Sequence, residues 1–346
     1  MYVNQLYLQN LRCFSDKQIE LDAQINLIEG LNGSGKTTIV EALYYLCYLR
    51  SFRTNLTQEL ISFDQDNFFI KANLVTASQN QETLQVGFSQ TKRLVKLNGK
   101  NVKSFKELIS NYRAVILTAN DLNLIQGGPE FRRNFIDQYI YLQNPDWSNQ
   151  IRSYQRIVDH RNALLKGPKF DFEQYKFWTK QLVASSELIQ IARKQALNEL
   201  ESAVNLILVT HFNSELVIEL VYQARPWQVN LQNKEQILGR TLCGAHLEDY
   251  QIKLSARLSR KFASRGEQKL VIVLLKAAQV MLLKQIFNGA IIFLLDDFIT
   301  DLDTARTIVL FELLKSLQVQ LLFTAPNLQP EHKNWLISHK TKIILI

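Results

Sequence analysis

Residues 30–38 read Gly30-Leu31-Asn32-Gly33-Ser34-Gly35-Lys36-Thr37-Thr38 and match G-x-x-x-x-G-K-[ST], the phosphate-binding loop of nucleotide hydrolases. The six residues before it (QINLIE) predict a short strand, and KTTIVEALYYLCYL has apolar residues at helical spacing. The glycines allow successive backbone N–H groups to point into one concavity, and the helix N-terminus adds the positive end of a dipole. The stretch therefore predicts a strand, a loop and a helix that bind a nucleoside triphosphate.

Two side chains at the end of this loop have predicted roles. Lys36 is expected to reach the β- and γ-phosphates during catalysis, and the Thr37 hydroxyl is expected to ligate Mg²⁺. The whole stretch from Gly30 to Thr38 is the predicted ATP-binding segment. The competing interpretation is a Gly-rich turn that precedes a helix by chance, but it leaves the preceding strand unexplained.

A second stretch supplies the acids that such a loop requires. Residues 290–297 (AIIFLLDD) form a continuous apolar run that ends in Asp296 and Asp297. A run without alternation suits a central parallel strand that is buried on both faces, and ligands bind beside the carboxyl ends of such strands. Asp296 is therefore a candidate Mg²⁺ ligand, and Asp297 is a candidate to orient or deprotonate the attacking water. Taken alone, the run could equally be a strand that ends in an acidic turn.

The distance between these stretches indicates an interrupted fold. Lys36 and Asp296 are 260 positions apart, too far for one compact nucleotide-binding fold, so another module must lie between its halves. Residues 121–240 are predominantly helical in pattern, whereas residues 2–29 and 67–103 predict strands. We predict an α/β head that is made of residues 1–120 and 241–346 and is split by a helical lobe of residues 121–240.

The charge distribution and one hairpin suggest where a polyanion would bind. The net charge is +8, and residues 1–120, 121–240 and 241–346 carry 13, 14 and 13 basic against 10, 13 and 9 acidic side chains. The two head segments therefore hold most of the excess. Asn98-Gly99 is a strong hairpin signal inside the antiparallel meander expected over residues 67–103. Basic residues cluster around it and are candidate DNA contacts, although such a run is most often only a solvated face: Lys92, Arg93, Lys96, Lys100 and Lys103.

Composition excludes several other classes. There is no signal peptide pattern and no apolar run of membrane-spanning length, because Lys276 interrupts the longest one. The three cysteines, Cys13, Cys47 and Cys243, are widely spaced and show no metal-ligand pattern. We therefore expect a cytoplasmic protein with reduced thiols and no membrane partner.

Residues 263–269 (ASRGEQK) open a strongly apolar helix and have two interpretations. Ser264 followed by Glu267 is a capping box, S-x-x-E. A Ser, a Gly and a helix N-terminus also make an anion-binding surface, which would be redundant for the chain's own phosphate site. Both interpretations can hold at once.

Along the chain, the phosphate loop is followed by the Ser264–Gln268 segment and then by the strand that ends in Asp296 and Asp297. Motifs in this order resemble those of the ABC-type ATPases of chromosome and repair machines. Within that class the chain resembles the RecF family of bacterial recombination mediators, with an ATPase head similar to that of SMC proteins. The resemblance covers nearly the whole chain, and its segments are NGSGKTTIVEALYYL, SFRT at 51–54, DLNLI at 121–125, GPEFRRNFID at 128–137, RNALL at 161–165, GAH at 244–246 and LLDDFITDLD at 294–303.

The chain departs from the family pattern in three places. Residues 244–248 read GAHLE where the family usually has Gly-Pro-His-Arg-Asp. Residues 264–269 read SRGEQK in place of Ser-Gln-Gly-Gln-Gln-Arg. Residues 119–122 read ANDL in place of Pro-Glu-Asp-Leu. The core nucleotide residues are kept. The departures therefore bear on dimer strength and ATPase rate more than on nucleotide binding.

The resemblance implies an ATP-driven cycle on DNA. Two heads would sandwich two ATP molecules with Mg²⁺, and each phosphate loop would face the partner's signature segment, with Ser264, Gly266 and Gln268 acting in trans. Hydrolysis would be weak and would release the homodimer. The family binds single-stranded, double-stranded or gapped DNA and, with RecR and RecO, helps to load RecA at gaps in DNA repair and replication, in the SOS response to DNA damage.

Two other functions remain open from the sequence. A transporter nucleotide-binding subunit would carry its signature and acidic strand much closer to its phosphate loop, without a helical insert. A non-hydrolysing scaffold that binds ATP and DNA is compatible with Asp297, which replaces the Glu common at that position in faster enzymes. A single-turnover hydrolysis assay with and without DNA would separate the scaffold from a DNA-stimulated ATPase.

Overall fold

The computed structural model describes residues 1–76, 78–102, 105–167, 169–212, 216–228, 230–299, 302–326 and 328–346. The chain forms two compact units. The first consists of Met1–Asp121, Thr210–Phe212 and Lys269–Ile346, and the second of Leu122–Val209 and Asn213–Gln268. Among the described residues, every helix is too short or too polar to cross a membrane.

The first unit contains two sheets. Six strands form an antiparallel sheet in the order β2-β1-β4-β5-β6-β7, and five form a parallel sheet in the order β14-β3-β13-β12-β8. The antiparallel strands are β1 Tyr2–Leu11, β2 Phe14–Glu20, β4 Asn67–Val75, β5 Gln81–Ser89, β6 Lys92–Leu97 and β7 Lys100–Asn101. The parallel strands are β3 Ile25–Glu29, β8 Tyr112–Leu117, β12 Ala290–Leu295, β13 Gln320–Ala325 and β14 Lys342–Leu345.

Helix α1, Lys36–Tyr48, contacts strands of both sheets and is the centre of the first unit. Nearly every side chain of α1 is buried, including Tyr45, whose ring meets Phe68 of the antiparallel sheet edge-on. Strands β8, β12 and β13 are buried at every position, as expected for parallel strands covered on both faces, and β12 is apolar throughout. The other helices assigned wholly or mainly to this unit are α2 Phe105–Ile109, α10 Thr304–Ser316, α11 Pro330–Ser338 and most of α9 Arg265–Ile286.

The second unit combines helices with a small sheet. Its helices are α3 Asn123–Gln126, α4 Pro129–Gln143, α5 Trp147–Lys166, most of the 41-residue α6 Phe172–Phe212, α7 Leu231–Leu238 and α8 Ser259–Phe262. The sheet is antiparallel in the order β11-β10-β9, with β9 Ile218–Gln223, β10 Asp249–Leu254 and β11 Arg257–Leu258. A fully buried ion pair, Arg161 with Glu235, joins α5 to α7 at 2.5 Å.

In the sequence, the main segments of the second unit lie between the two main segments of the first unit, whereas the predicted helical lobe covers residues 121–240. The chain re-enters the first unit at Lys269, not at residue 241. The reason is that residues 218–258 are not helical throughout: β9 pairs with β10, which keeps this part of the chain in the second unit. The helix break predicted at Gly167-Pro168 coincides with the end of α5 at Lys166, while Pro168 lies outside the described residues.

Candidate nucleotide-binding site

The phosphate-binding loop connects β3 to α1 in the first unit. β3 ends at Glu29 and α1 begins at Lys36, so residues 30–35 form the loop between a buried strand and a helix N-terminus. Gly33 and Gly35 have φ angles of 85° and 103°, a region that side chains with a Cβ rarely occupy. A Cβ on Gly35 would also lie 2.5 Å from the Phe14 ring and 2.7 Å from the Cys13 sulfur. The loop conformation therefore requires glycine at this position.

Two side chains of the loop carry donors that a phosphate oxygen could use. The Lys36 ammonium donates to the backbone carbonyls of Gly30 and Leu31, each at 2.8 Å, so the cation is held across the mouth of the loop. The Ser34 hydroxyl is buried and has no hydrogen-bond partner among the described residues. A phosphate oxygen is an acceptor that both groups can use, so the residues present fit a nucleotide phosphate.

Asp296 follows β12 and lies beside the phosphate loop, as the sequence predicts. The Thr37 hydroxyl lies 3.1 and 3.0 Å from the two Asp296 carboxylate oxygens, and the Thr324 hydroxyl donates to the same carboxylate at 2.9 Å. Mg²⁺ is commonly held by one or two protein oxygens together with substrate phosphates. The Thr37 hydroxyl and the Asp296 carboxylate would supply these oxygens. No cluster of three or more His, Cys, Asp or Glu that could hold a metal occurs in the described parts of the chain.

The electrostatics of Asp296 suit a cation ligand. Burial raises the pKa of its carboxyl, the hydrogen bonds from Thr324 and Thr37 lower it, the charge of Asp297 raises it, and the charge of Arg53 lowers it. The net shift of the pKa is upward, which means that the ionised form lacks full compensation within the protein. A divalent cation beside this carboxylate would supply the missing positive charge.

Asp297 has an unusual backbone at the end of the same strand. Its φ is 51°, in the left-handed region that Asp tolerates better than most residues. Its N–H donates to the Thr324 hydroxyl at 3.0 Å, and its carbonyl accepts from the Lys269 ammonium at 3.4 Å. These bonds fix the backbone that carries the candidate water-orienting carboxylate next to Asp296.

A buried carboxylate behind the loop was not predicted from the sequence. Glu41 on α1 is fully buried and accepts from Arg12 at 3.1 and 3.0 Å and from the Ser51 hydroxyl. Arg53 lies 3.5 Å from the same carboxylate. Glu41 therefore orders two arginines within the unit that carries the phosphate loop. The sequence signals are the family segments that contain these residues, 32–46 for Glu41 and 51–54 for Ser51 and Arg53, and neither segment indicates the ion pair.

The signature segment lies in the second unit and has the capping geometry expected of it. The backbone N–H of Ser264 donates to the Glu267 carboxylate at 2.7 Å, and the N–H of Glu267 lies 3.3 Å from the Ser264 hydroxyl. Gln268 is buried, and its amide donates to the carbonyls of Ser259 and Ala263 and accepts from Gln126. The side chain of Gln268 thus shapes the segment from behind, whereas Ser264 is exposed at its N-terminus.

The basic hairpin forms as predicted, but its cations lie on two faces of the sheet. Asn98 and Gly99 both have positive φ, as a two-residue hairpin turn requires. Arg93 lies opposite Phe88 on the face towards α1, 5.5 Å from the Tyr45 ring centre and 3.2 Å from the Thr57 hydroxyl. Of the remaining candidates, Lys92 and Lys96 lie on the opposite face, Lys100 is exposed after the turn, and Lys103 lies outside the described residues.

The segment that departs most from the family pattern, residues 244–248, forms part of the core of the second unit. Glu248 is fully buried and accepts from Gln190 and Tyr222. The His246 Nδ1 lies 2.7 Å from the Tyr154 hydroxyl, and burial followed by the charges of Arg133 and Arg161 lowers the pKa of His246 to about 4. His246 is therefore a neutral interior histidine in this unit, which gives the segment a structural role.

Comparison with known proteins agrees with this geometry. The family model described as RecF/RecN/SMC N terminal domain matches residues 2–333. A DNA replication and repair protein RecF from Leptospira interrogans is 30% identical over 322 residues, which cover 88% of this chain and 87% of that protein.

Solved structures show the same fold. A structure of the recombination mediator protein RecF-ATP in the RecFOR pathway superimposes with a TM-score of 0.79 at 25% identity, covering 94% of this chain and 93% of that one. A structure of an SmcHead bound to the C-winged helix domain of ScpA superimposes with a TM-score of 0.60 at 14% identity, and the match covers 100% of this chain and 94% of that one. This second likeness supports the fold alone. The phosphate loop, the acidic strand after a long insert and these likenesses together show that the chain belongs to the RecF family of DNA replication and repair proteins.

Proposed function

We propose that this protein is an ATP-dependent DNA-binding recombination mediator. The observation that carries the proposal is the convergence of Lys36, Thr37 and Asp296 in the first unit, which provides a phosphate cradle and an Mg²⁺ ligand pair. The structure named RecF-ATP is a relative that carries this nucleotide, which supports ATP as the ligand here. Magnesium supplies charge neutralisation at the phosphates when it is bound.

The chain's own residues would bind the nucleotide and orient the attacking water. The loop N–H groups and the Lys36 ammonium hold the phosphates, and the Ser34 hydroxyl donates to a phosphate oxygen. The fixed backbone of Asp297 aims its carboxylate at the attacking water. Because Asp is shorter than the Glu of faster enzymes, hydrolysis would be weak.

Binding of ATP would close two copies of the chain into a homodimer. Ser264 is exposed at the N-terminus of α9, where a helix dipole and a hydroxyl can receive an anion. It would meet the γ-phosphate held by the loop of the second copy, together with the Gly266 backbone. The buried Gln268 amide would hold the segment in this conformation.

DNA would bind to the head when the dimer closes. The hairpin of the first unit presents Lys92 and Lys100 to solvent and holds Lys96 half-buried beside them. These cations can release counterions from duplex phosphates without reading base sequence. By family resemblance, RecR and RecO would be the partners and RecA loading at gaps the outcome.

A pair of variants tests the trans role of the signature segment. Ser264→Arg places a bulky cation where the second copy's γ-phosphate would lie, so it should abolish ATP-dependent dimerisation while a monomer still binds ATP. Glu267→Gln is the matched control, because it weakens the cap and leaves the Ser264 hydroxyl in place. Multi-angle light scattering with ATP and Mg²⁺ measures the mass, and a fluorescent ATP analogue measures binding.

The outcomes separate three roles for Ser264. Loss of the dimer in Ser264→Arg but not in Glu267→Gln supports the proposal. Loss of ATP binding by the monomeric Ser264→Arg variant would assign Ser264 to its own nucleotide site. Normal dimerisation of Ser264→Arg would leave Ser264 as a helix cap only.

A further inference from the structure

Helix α6 carries a long exposed stripe without a single charged residue. Ten of its residues recur at intervals of three or four and are all exposed to solvent. We call them the α6 stripe: Phe177, Gln181, Ala184, Leu188, Ile191, Gln195, Asn198, Ser202, Leu206 and Val209. The helical faces of a solvated helix normally carry charges on the side away from the core. A stripe that is uncharged over this length indicates a face that is covered by a partner.

Two apolar pairs dominate the stripe. Leu188 and Ile191 are 57% and 64% exposed, and Leu206 and Val209 are 59% and 67% exposed. Both pairs have the same spacing, and they are eighteen residues apart, which is five whole helical turns or about 27 Å. The pairs therefore point in the same direction from α6. Between them lie only the uncharged polar residues Gln195, Asn198 and Ser202.

We propose that the α6 stripe pairs with the α6 stripe of a second copy of this chain, in antiparallel orientation. The part of the stripe from Leu188 to Val209 is symmetric about a point between Asn198 and Glu199, and the three stripe residues before Leu188 lie outside the paired part. If a twofold axis passes through that point, Leu188 lies level with Val209 of the second copy, and Ile191 lies level with Leu206 of the second copy. Every apolar residue of the two pairs then meets an apolar residue, and Gln195 meets Ser202.

The charges beside the stripe favour the same arrangement. Lys180, Glu187, Lys194 and Glu201 recur every seven residues along one border, with alternating sign. In the antiparallel pair, Lys194 of each copy lies within one turn of Glu201 of the other, so opposite charges face each other twice. Glu201 is held in place because its carboxylate accepts from the Leu220 N–H at 2.6 Å.

One carboxylate near the axis has to be accommodated. Glu199 of the two copies would lie close together if their side chains pointed across the contact. In the structure one oxygen of this carboxylate accepts from Tyr139 and Gln143 of α4 at 3.1 and 3.0 Å, and the other accepts from Gln195 of the stripe at 3.0 Å. Donors of its own chain therefore stabilise the Glu199 charge at the border of the contact.

The α6 contact is small and does not require nucleotide. Two helical stripes of this length fall at or below the roughly 1,000 Å² expected of a stable interface, so we expect a dissociation constant between about 10 and 500 µM. Local concentration on DNA would raise its occupancy. If the proposed ATP-closed dimer also forms, each chain has two different twofold contacts, and these would join dimers into a linear array.

A charge-swap series tests the pairing in nucleotide-free protein. Ile191→Lys and Leu206→Glu each place a charge in the apolar layer and should weaken self-association at least tenfold, about 1.4 kcal/mol. The double variant Ile191→Lys/Leu206→Glu should recover it, because each Lys then meets a Glu of the other copy. Within one chain the two positions are about 22 Å apart, so recovery cannot come from an internal ion pair. Both positions are exposed, and unchanged helicity by circular dichroism would confirm folding.

Sedimentation equilibrium between about 10 and 500 µM brackets the affinity of a contact of this size. A reversible wild-type dimer, its loss in both single variants and its return in the double variant support the proposal. A wild-type monomer throughout this range overturns it and would leave the stripe to a helix of another protein. A dimer whose dissociation constant is the same in all three variants as in the wild type also overturns the proposal, because self-association would then use another surface.

Cross-linking fixes the orientation in the same samples. In a Cys13→Ser background, Leu188→Cys/Val209→Cys should be joined between copies by a short bis-maleimide, because the two positions are level in the antiparallel pair. Leu188→Cys alone should remain unlinked, since it meets its own counterpart only in a parallel pair. Cross-linking of the single variant would overturn the antiparallel arrangement. None of these measurements uses ATP, so their failure is distinguishable from failure of the proposed function.

Discussion

Replacing Glu41 by Gln is expected to destabilise the first unit and to disturb its nucleotide site. Glu41 is fully buried on α1, and its carboxylate accepts from both Arg12 and Ser51, with Arg53 at 3.5 Å. Gln has nearly the same shape but carries no charge. The variant therefore leaves the two guanidinium groups without their shared counter-charge while the packing of α1 is kept.

The size of the effect follows from the exposure of the partners. Removing one member of a fully buried ion pair costs about 3–5 kcal/mol. Here the Arg12 and Arg53 side chains are 22% and 44% exposed, so water compensates part of the lost interaction. We therefore expect the free energy of unfolding to fall by about 2 kcal/mol, with the exposed Glu59→Gln as a matched control that stays within about 0.5 kcal/mol.

Urea unfolding of the nucleotide-free protein measures this difference, and the shift of the unfolding midpoint on adding ATP reports the nucleotide site. The ATP-induced shift should shrink in Glu41→Gln, because Arg53 loses the carboxylate that positions it. A stability equal to that of Glu59→Gln would refute the reasoning, since the buried carboxylate would then carry no net interaction.

Three further variants test catalysis, DNA binding and the packing of the hairpin separately from nucleotide binding. Asp297→Asn should bind ATP and Mg²⁺ normally but hydrolyse ATP at least about tenfold more slowly in single turnover, because the amide cannot act as a base. Unchanged hydrolysis would mean that another residue positions the water. Lys92→Gln/Lys96→Gln should flatten the log–log salt dependence of duplex DNA binding by up to about two units without loss of stability. Arg93→Gln should instead lower stability, because it loses contacts with Tyr45 and Thr57. An unchanged salt dependence in Lys92→Gln/Lys96→Gln would mean that DNA binds to another surface.

The nucleotide loop was predictable because its chemistry is local. The glycines, Lys36 and Thr37 are adjacent in sequence, and the strand and helix around them have clear periodicity. Asp296 was found for a related reason, since a parallel strand carries its ligands at its carboxyl end. The structure places Thr37 beside Asp296 although 259 residues separate them, as the motif requires.

Other parts of the site could not be predicted from local pattern. Thr324 reaches Asp296 from the carboxyl end of the neighbouring strand β13, and nothing in the sequence around Glu41 identifies Arg12 as its partner. Both roles depend on which elements become neighbours in three dimensions. The second boundary of the insert, predicted at residue 240, differs from the return to the first unit at Lys269 for the same reason, because the pairing of β9 with β10 keeps these residues in the second unit.

The most direct test of the account is the mass of the protein on a short duplex DNA with and without ATP and Mg²⁺, measured by light scattering for the wild type and for Lys36→Met. The account predicts two chains on the DNA with ATP for the wild type, and loss of both ATP binding and this complex in Lys36→Met, because the ammonium is the main point charge on the phosphates. Normal ATP affinity and the same ATP-dependent complex in a folded Lys36→Met protein would contradict it.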